Sequence, residues 1–251
     1  MTKIQSSREK DINNLLHDLL GNPAKYIDDD LLYNSKTRRG IEKKETLSRI
    51  KSMDEEKQEK LYKILSFYKF KSIASSAIEK NKEQCNFSGY AADNELLLGL
   101  VSIIDWLACG EENCRGGFLN RFNEFLRENL VENNDWKSFK KMISSLSVQN
   151  KRGEIIKLTD YPLGRNNGRS CSGPVILCKF ACYVYEVRSY VVHYACLGGM
   201  YQYGISFSIN NDTGKVNKSF TILKPEMVRN VLWKAIFAYF GLSDICVNKY
   251  K

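Results

Sequence analysis

The sequence predicts a mainly α-helical protein carrying one small β-hairpin, and three observations predict it. Apolar residues recur at helical spacing in long segments along the chain. The four prolines, Pro23, Pro162, Pro174 and Pro225, each punctuate a boundary. Alternation of the kind a strand needs marks Tyr203–Ile209 (YGISFSI), and the turn at Asn210–Gly214 leads from it into Val216–Leu223.

Taken in order, Ser6 or Ser7 caps a first helix with Ile12, Leu15, Leu16, Leu19 and Leu20 as its apolar stripe, and Gly21-Asn22-Pro23 stops it. A short helix is expected around Ile41–Ile50. Ser52 followed by Glu55 is a capping-box pattern opening a longer helix to about Glu83, with Leu61, Ile64, Leu65 and Tyr68 on one face. Residues 1–85 thus read as an N-terminal helical accessory region, and Asn86–Asp93 as a linker. Glu95–Cys109 (ELLLGLVSIIDWLAC) is apolar almost all round and reads as a central helix, with Asp105 its one charge past the first turn. Phe118, Phe122, Phe125 and Leu126 mark a helix over 118–130. Asn134 caps another, with Trp136, Phe139, Met142, Ile143 and Leu146 apolar. Residues 147–173 read as a long, basic, Gly-rich loop. Gly173-Pro174 opens a long apolar helix that Gly198-Gly199 ends, although its β-branched and aromatic content would also suit strands. Pro225 starts a final amphipathic helix through Phe240. Residues 93–242 form the second unit.

Composition narrows the class. Of 251 residues 43% are hydrophobic, and Tyr 14, Phe 12 and Trp 3 exclude a chain that is mainly disordered. No apolar run reaches the roughly 18 residues of a membrane span, so no membrane partner is expected. The N-terminus MTKIQSSREKDINNLL has no apolar signal-peptide core, so the eight cysteines read as reduced thiols of a cytoplasmic protein. The net charge of +9 is uneven: residues 85–133 carry 3 Lys/Arg against 8 Asp/Glu, whereas residues 134–188 carry 10 against 4. A concentrated basic field attracts polyanions, RNA and DNA above all; a solubilising surface would look the same. Lys151-Arg152 and Arg165-Asn-Asn-Gly-Arg169 are the candidate RNA-binding residues of the basic segment, with Trp136 and Tyr161 placed to stack bases.

The chemistry-bearing candidates are few. Of the two histidines, His17 lies among charges, whereas His193 sits in the apolar helix five residues after Arg188, with Glu186 nearby. Ionisable groups kept in such a helix belong together at a cleft or interface, unless they are a satisfied core His and a snorkelling Arg. Five residues correspond to about 140° and roughly 7.5 Å of rise on an ideal helix, so Arg188 and His193 converge only if the helix is distorted or two copies meet across a dimer axis. Imidazole can take a proton from a ribose 2′-hydroxyl or give one to a departing 5′-oxygen, and guanidinium can hold the phosphate. The pair is therefore adequate for RNA transesterification without a metal or other cofactor. No CxxC, Walker motif, strand-borne GxGxxG, HExxH or GxSxG is present, which argues against a zinc site, an NTPase, a dinucleotide enzyme, a zincin and an α/β-hydrolase.

Arg188-Ser-Tyr-Val-Val-His193 on a late helix, with Gly198-Gly199 after it and a closing amphipathic helix, resembles the HEPN superfamily (higher eukaryotes and prokaryotes nucleotide-binding). That family is a small helical bundle marked by Arg, four to six residues, then His, with a polar residue next to the Arg, the slot filled here by Ser189. The IIDWLAC helix is similar to the family's earlier core helix, on which an acidic residue steers the catalytic Arg, and Asp105 would fill that role. The resemblance covers residues 93–242. It implies an endoribonuclease giving a 2′,3′-cyclic phosphate and a 5′-hydroxyl, a toxin or antiviral defence effector with RNA as substrate and a cognate antitoxin or regulatory protein as a further partner. The rival expectation is a non-catalytic helical RNA-binding or protein-interaction module. A homodimer is expected through the helix around His193, because one histidine must otherwise act as both base and acid. In addition, Val184, Tyr185, Val187, Tyr190, Val191 and Tyr194 make a wider apolar surface than one core requires.

Overall fold

The computed structural model describes residues 48–81, 91–110, 117–131, 136–150, 154–163, 173–194, 205–209, 216–221 and 225–242. The expected first helix, the basic residues Lys151, Arg152, Arg165 and Arg169, and Gly198-Gly199 lie outside them. Within them the fold is mainly helical, as the periodicity predicts: α1 Glu55–Asn81, α2 Ala91–Cys109, α3 Phe118–Leu126 continued by a π-helical turn at Arg127–Val131, α4 Trp136–Ser144, α5 Val175–Tyr194 and α6 Pro225–Tyr239. The expected hairpin pairs β3 Ile205–Ile209 antiparallel with β4 Val216–Thr221, with an irregularity between Ser206 and Ser208. No helix among the described residues is long and apolar enough to cross a membrane.

The start of α1 corrects the capping expectation. Asp54, not Ser52, is the cap: its Oδ1 accepts the Lys57 backbone N–H at 2.8 Å, and its carbonyl accepts that of Gln58 at 3.0 Å. Ser52 instead donates to the Arg49 carbonyl. From there Leu61, Ile64, Leu65 and Tyr68 are buried at helical spacing, as the sequence requires, and Ser72 and Ser75 extend the stripe. Small residues there let α1 and α2 approach as an antiparallel pair, closest where Gly99 receives the stem of Lys71. The Lys71–Glu95 ion pair at 2.6 Å closes one end of that contact.

Helix α6 runs through the middle. Every residue from Met227 to Phe237 is buried. Trp233 is met edge-on by Tyr68 at 4.8 Å and stacked by Phe237 at 5.3 Å. Arg229, buried with it, is neutralised by Asp93 of α2, and Arg49 reaches the Gly241 carbonyl at 2.9 Å, tying the segment before α1 to the end of α6. Ile50 and the α1 stripe belong to the same hydrophobic core as α2, α3, α5 and α6. The boundary expected between 85 and 93 therefore separates stretches of sequence that share one core.

Part of the expected long loop is ordered into a second small sheet. β1 Ser147–Gln149 pairs antiparallel with β2 Ile155–Lys157, followed by a 3-10 turn at Leu158–Asp160. The physical reason is burial: Leu146, Val148, Leu158 and Tyr161 are inside, and the Leu158 N–H donates back to the Leu146 carbonyl at 2.9 Å. Lys179 and Glu186 of α5 hold this segment, the first donating to the Thr159 carbonyl and the second accepting the Tyr161 hydroxyl.

The cysteine expectation is also corrected. Cys109 and Cys178 each take part in a disulfide, and Cys182 is a buried thiol outside any disulfide. Composition gives the number of thiols, whereas bonding depends on which backbones the fold brings within about 7 Å.

Candidate functional site

The site grows from the N-terminus of α3. Gly117, extended at φ −71° and ψ 152°, starts that helix, its carbonyl accepting the N–H groups of Asn120 and Arg121. Phe118 follows as the first helical residue. Its ring stacks on Phe122 one turn along, at 5.5 Å, and on Tyr185 of α5, at 5.6 Å. Phe122 is fully buried, so the stack is anchored in the core. Tyr185 and Arg188 are three apart and share a face of α5. Arg188 accordingly lies over the Phe118 ring, its guanidinium carbon 5.1 Å from the centroid. Among the described residues no carboxylate pairs with it. A guanidinium on an aromatic face keeps its in-plane donors available to an anion.

Asp105 does not orient Arg188. Its Oδ1 accepts both the Arg121 Nε–H at 3.2 Å and the Nη2–H at 2.7 Å. The reason is proximity: Arg121 is one turn along α3 from Phe118 and packs directly on α2, whereas Arg188 is held off by the ring beneath it. Two guanidinium groups thus stand at the same end of the bundle, Arg121 neutralised by Asp105 and Arg188 on its ring. In the sequence Phe118 is legible only as part of the apolar stripe of its helix, and Arg121 carries no local signal beyond its three-residue spacing from it.

The remaining expected residues fall as follows. Ser189 is half-buried and, among the described residues, makes no side-chain hydrogen bond. His193 is in the last turn of α5, and its side chain lies outside the described residues. The helix is regular α from Val175 to Tyr194, so the backbone positions of Arg188 and His193 stay about 140° apart, with no distortion to bring them together. Glu186 faces away from Arg188 and binds Tyr161. Tyr161 is buried, its ring edge-on to Tyr183, and so is withdrawn from base stacking. Burial first, then the hydrogen bond to the Glu186 carboxylate, pushes its phenol far above the ordinary range. Of the apolar surface expected to form a dimer, Val184 and Val187 are buried and Tyr185 packs on Phe118, while the side chains of Tyr190, Val191 and Tyr194 lie outside the described residues.

A second concavity lies between α1 and α2, a cavity of about 410 Å³ lined by Lys63, Ile64, Phe67, Ser102, Ile103 and Trp106. Phe67 and Trp106 are both more than a third exposed.

No protein-family model, no curated protein and no solved structure matches the chain.

Proposed function

We propose that the chain is a metal-independent endoribonuclease of HEPN type, acting in the cytosol as a toxin or antiviral defence effector. The observation that carries this reading is Arg188, a guanidinium with no carboxylate partner among the described residues, laid on Phe118 one helical turn before the turn that holds His193. On this reading Arg188 binds the scissile phosphate and stabilises the charge of the transition state. His193 accepts the 2′-hydroxyl proton as the 2′-oxygen attacks phosphorus. The bond to the 5′-oxygen breaks, that oxygen takes up a proton, and the products are a 2′,3′-cyclic phosphate and a 5′-hydroxyl. Arg121, neutralised by Asp105, leaves Arg188 as the guanidinium open to the phosphate at that end of the bundle, and Ser189 is the polar neighbour of Arg188. A two-fold dimer joined near His193 would supply the second proton-transfer group.

The test is RNA cleavage in EDTA by the wild type beside His193→Ala and Arg188→Ala. Cleavage by the wild type alone supports the site. Equal cleavage by all three eliminates it. The second reading, a non-catalytic interaction module, is favoured by the apolar cavity between α1 and α2. Absence of cleavage in all three proteins would favour that reading.

A further inference from the structure

Helix α4 divides its surface sharply. Phe139 and Ile143 are buried, Phe139 meeting Phe180 of α5 edge-on at 6.2 Å, and Trp136 leans on Phe139 at 5.5 Å. The opposite face presents Lys137, Lys140 and Lys141, all exposed, and the helix WKSFKKMIS contains no acidic residue. At positions i, i+3 and i+4 these lysines share one stripe about 6 Å long. A fourth, Lys157, is exposed at the end of β2 opposite Ser147, close beyond the C-terminal end of α4.

What sets this stripe apart is that three lysines stand together on one helix face and nothing within the described chain neutralises them. The lysines in the first half of α1 are matched: Lys57 with Asp54, Lys60 with Glu56 and Lys63 with Glu59. The α4 lysines and Lys157 make no ion pair among the described residues. The nearest acids in sequence to Lys157 point elsewhere: Glu154 accepts from Asn150 and Asp160 from Thr159, and neither pairs with Lys157.

We infer that Lys137, Lys140, Lys141 and Lys157 form a docking surface for the phosphodiester backbone of a single nucleic-acid strand. Charge complementarity selects a polyanion, and a short row of point charges matches successive phosphates of one strand. Trp136, half-buried and four residues before Lys140, flanks the row with an aromatic edge for a base. An anionic membrane is disfavoured, because a basic helix that binds lipid inserts its apolar face, and that face of α4 is already in the core. The surface lies apart from Arg188 and stands without it. Phe180, where α4 meets α5, is eight residues before Arg188, about 12 Å along the helix.

The experiment measures fluorescence anisotropy of a labelled, 2′-O-methylated oligouridylate, which transesterification cannot cut, with full-length protein across a salt series. Parallel arms use oligothymidylate and phosphatidylserine vesicles. The wild type should bind both strands. The triple variant K137Q/K140Q/K141Q should bind them about tenfold more weakly at low salt, and its salt slope should be shallower by about 2, three phosphate contacts at roughly 0.7 each. A control, K57Q/K60Q/K63Q on the ion-paired lysines of α1, should bind like wild type, and unchanged circular dichroism melts certify both folds. Failure of the wild type to bind either strand, a triple variant with wild-type affinity and slope, or a loss confined to the vesicles would each overturn the inference. Because the probe is uncuttable, these outcomes are independent of whether the chain cleaves RNA.

Discussion

Asp105 and Arg121 are bound to each other through one carboxylate oxygen and two guanidinium nitrogens, and that pair joins α2 to α3 directly beneath the end of the bundle where Arg188 lies. The side chains are only 34% and 17% exposed, so the pair is shielded from solvent more than a typical surface bridge. A double-mutant cycle with Asp105→Asn and Arg121→Gln should return a coupling of about 1 kcal/mol, at the top of the range for surface pairs. In urea denaturation, a coupling indistinguishable from zero would show that the pair is ornamental to stability. On the proposed reading, Asp105→Asn should spare Arg188, leaving KM for RNA within about twofold of wild type and melting at lower temperature.

Gly99 is required by its neighbour. A Cβ there would stand 2.9 Å from Lys71 Cγ and 3.3 Å from Lys71 Cβ, atoms too close to the backbone to swing away freely. Gly99→Ala should gain about 0.5–1 kcal/mol of helix propensity and lose about 1–3 kcal/mol to overpacking, a net destabilisation. Adding Lys71→Ala should recover part of the loss. The urea midpoint reads both, and a Gly99→Ala protein more stable than wild type would contradict the close approach.

The fold is legible wherever one local rule is enough. Prolines and helical spacing locate α1 through α6 to within a few residues, and the α5 helix wins over its strand-like composition because it is flanked by core on several sides. What is not legible depends on long-range partners. β1 and β2 are three residues each, too short for any periodicity, and form because Val148, Leu158 and Tyr161 can be buried against α5. The candidate site divides in the same way. Arg188 stands out as a charge in an apolar helix. Phe118 and Arg121 look like ordinary members of an amphipathic one, and Asp105 is equally available on paper to either arginine. Only packing decides between them.

Trp233 should distinguish area from polarity. Its indole is fully buried, and its Nε1–H finds no acceptor. Trp233→Ala should cost about 3–5 kcal/mol, the range for deleting a large core aromatic. Trp233→Phe removes packing area and the unmet donor together, so its cost should stay near 1 kcal/mol. Equal losses in the two variants would mean that Nε1–H is satisfied after all.

Alkaline stability tests the two buried phenols. Burial raises Tyr183, and burial with the Glu186 hydrogen bond raises Tyr161, both above the ordinary value of 10.0. The unfolded chain therefore releases these protons at lower pH than the folded one. Their contribution is fully present below pH 10 and is lost as pH rises above it toward the folded-state values. The melting temperature should fall over that range, less steeply in Tyr161→Phe, while ultraviolet titration of the native protein finds these tyrosines still protonated. A Tyr161→Phe protein with the wild-type alkaline slope would contradict the assignment.

Among the described residues the proposed dimer rests on one position, and that makes it sharp to test. With Val184 and Val187 buried and Tyr185 on Phe118, the exposed apolar side chain near the candidate site among the described residues is Val192, 49% exposed. It is four residues after Arg188 and so shares its face of α5. A two-fold contact centred on Val192 would place both copies of Arg188 and the His193 turns beside one axis. Val192→Asp should then yield a monomer by sedimentation, with RNA cleavage lost and the melting temperature nearly unchanged, since an exposed position adds little to the fold. Val175, 61% exposed at the opposite end of α5, about 25 Å away, is the control, and Val175→Asp should leave assembly and cleavage as in wild type. Val192→Asp that is monomeric yet fully active would separate catalysis from dimerisation and return both proton transfers to a single His193. A wild type that sediments as a monomer and still cleaves would do the same.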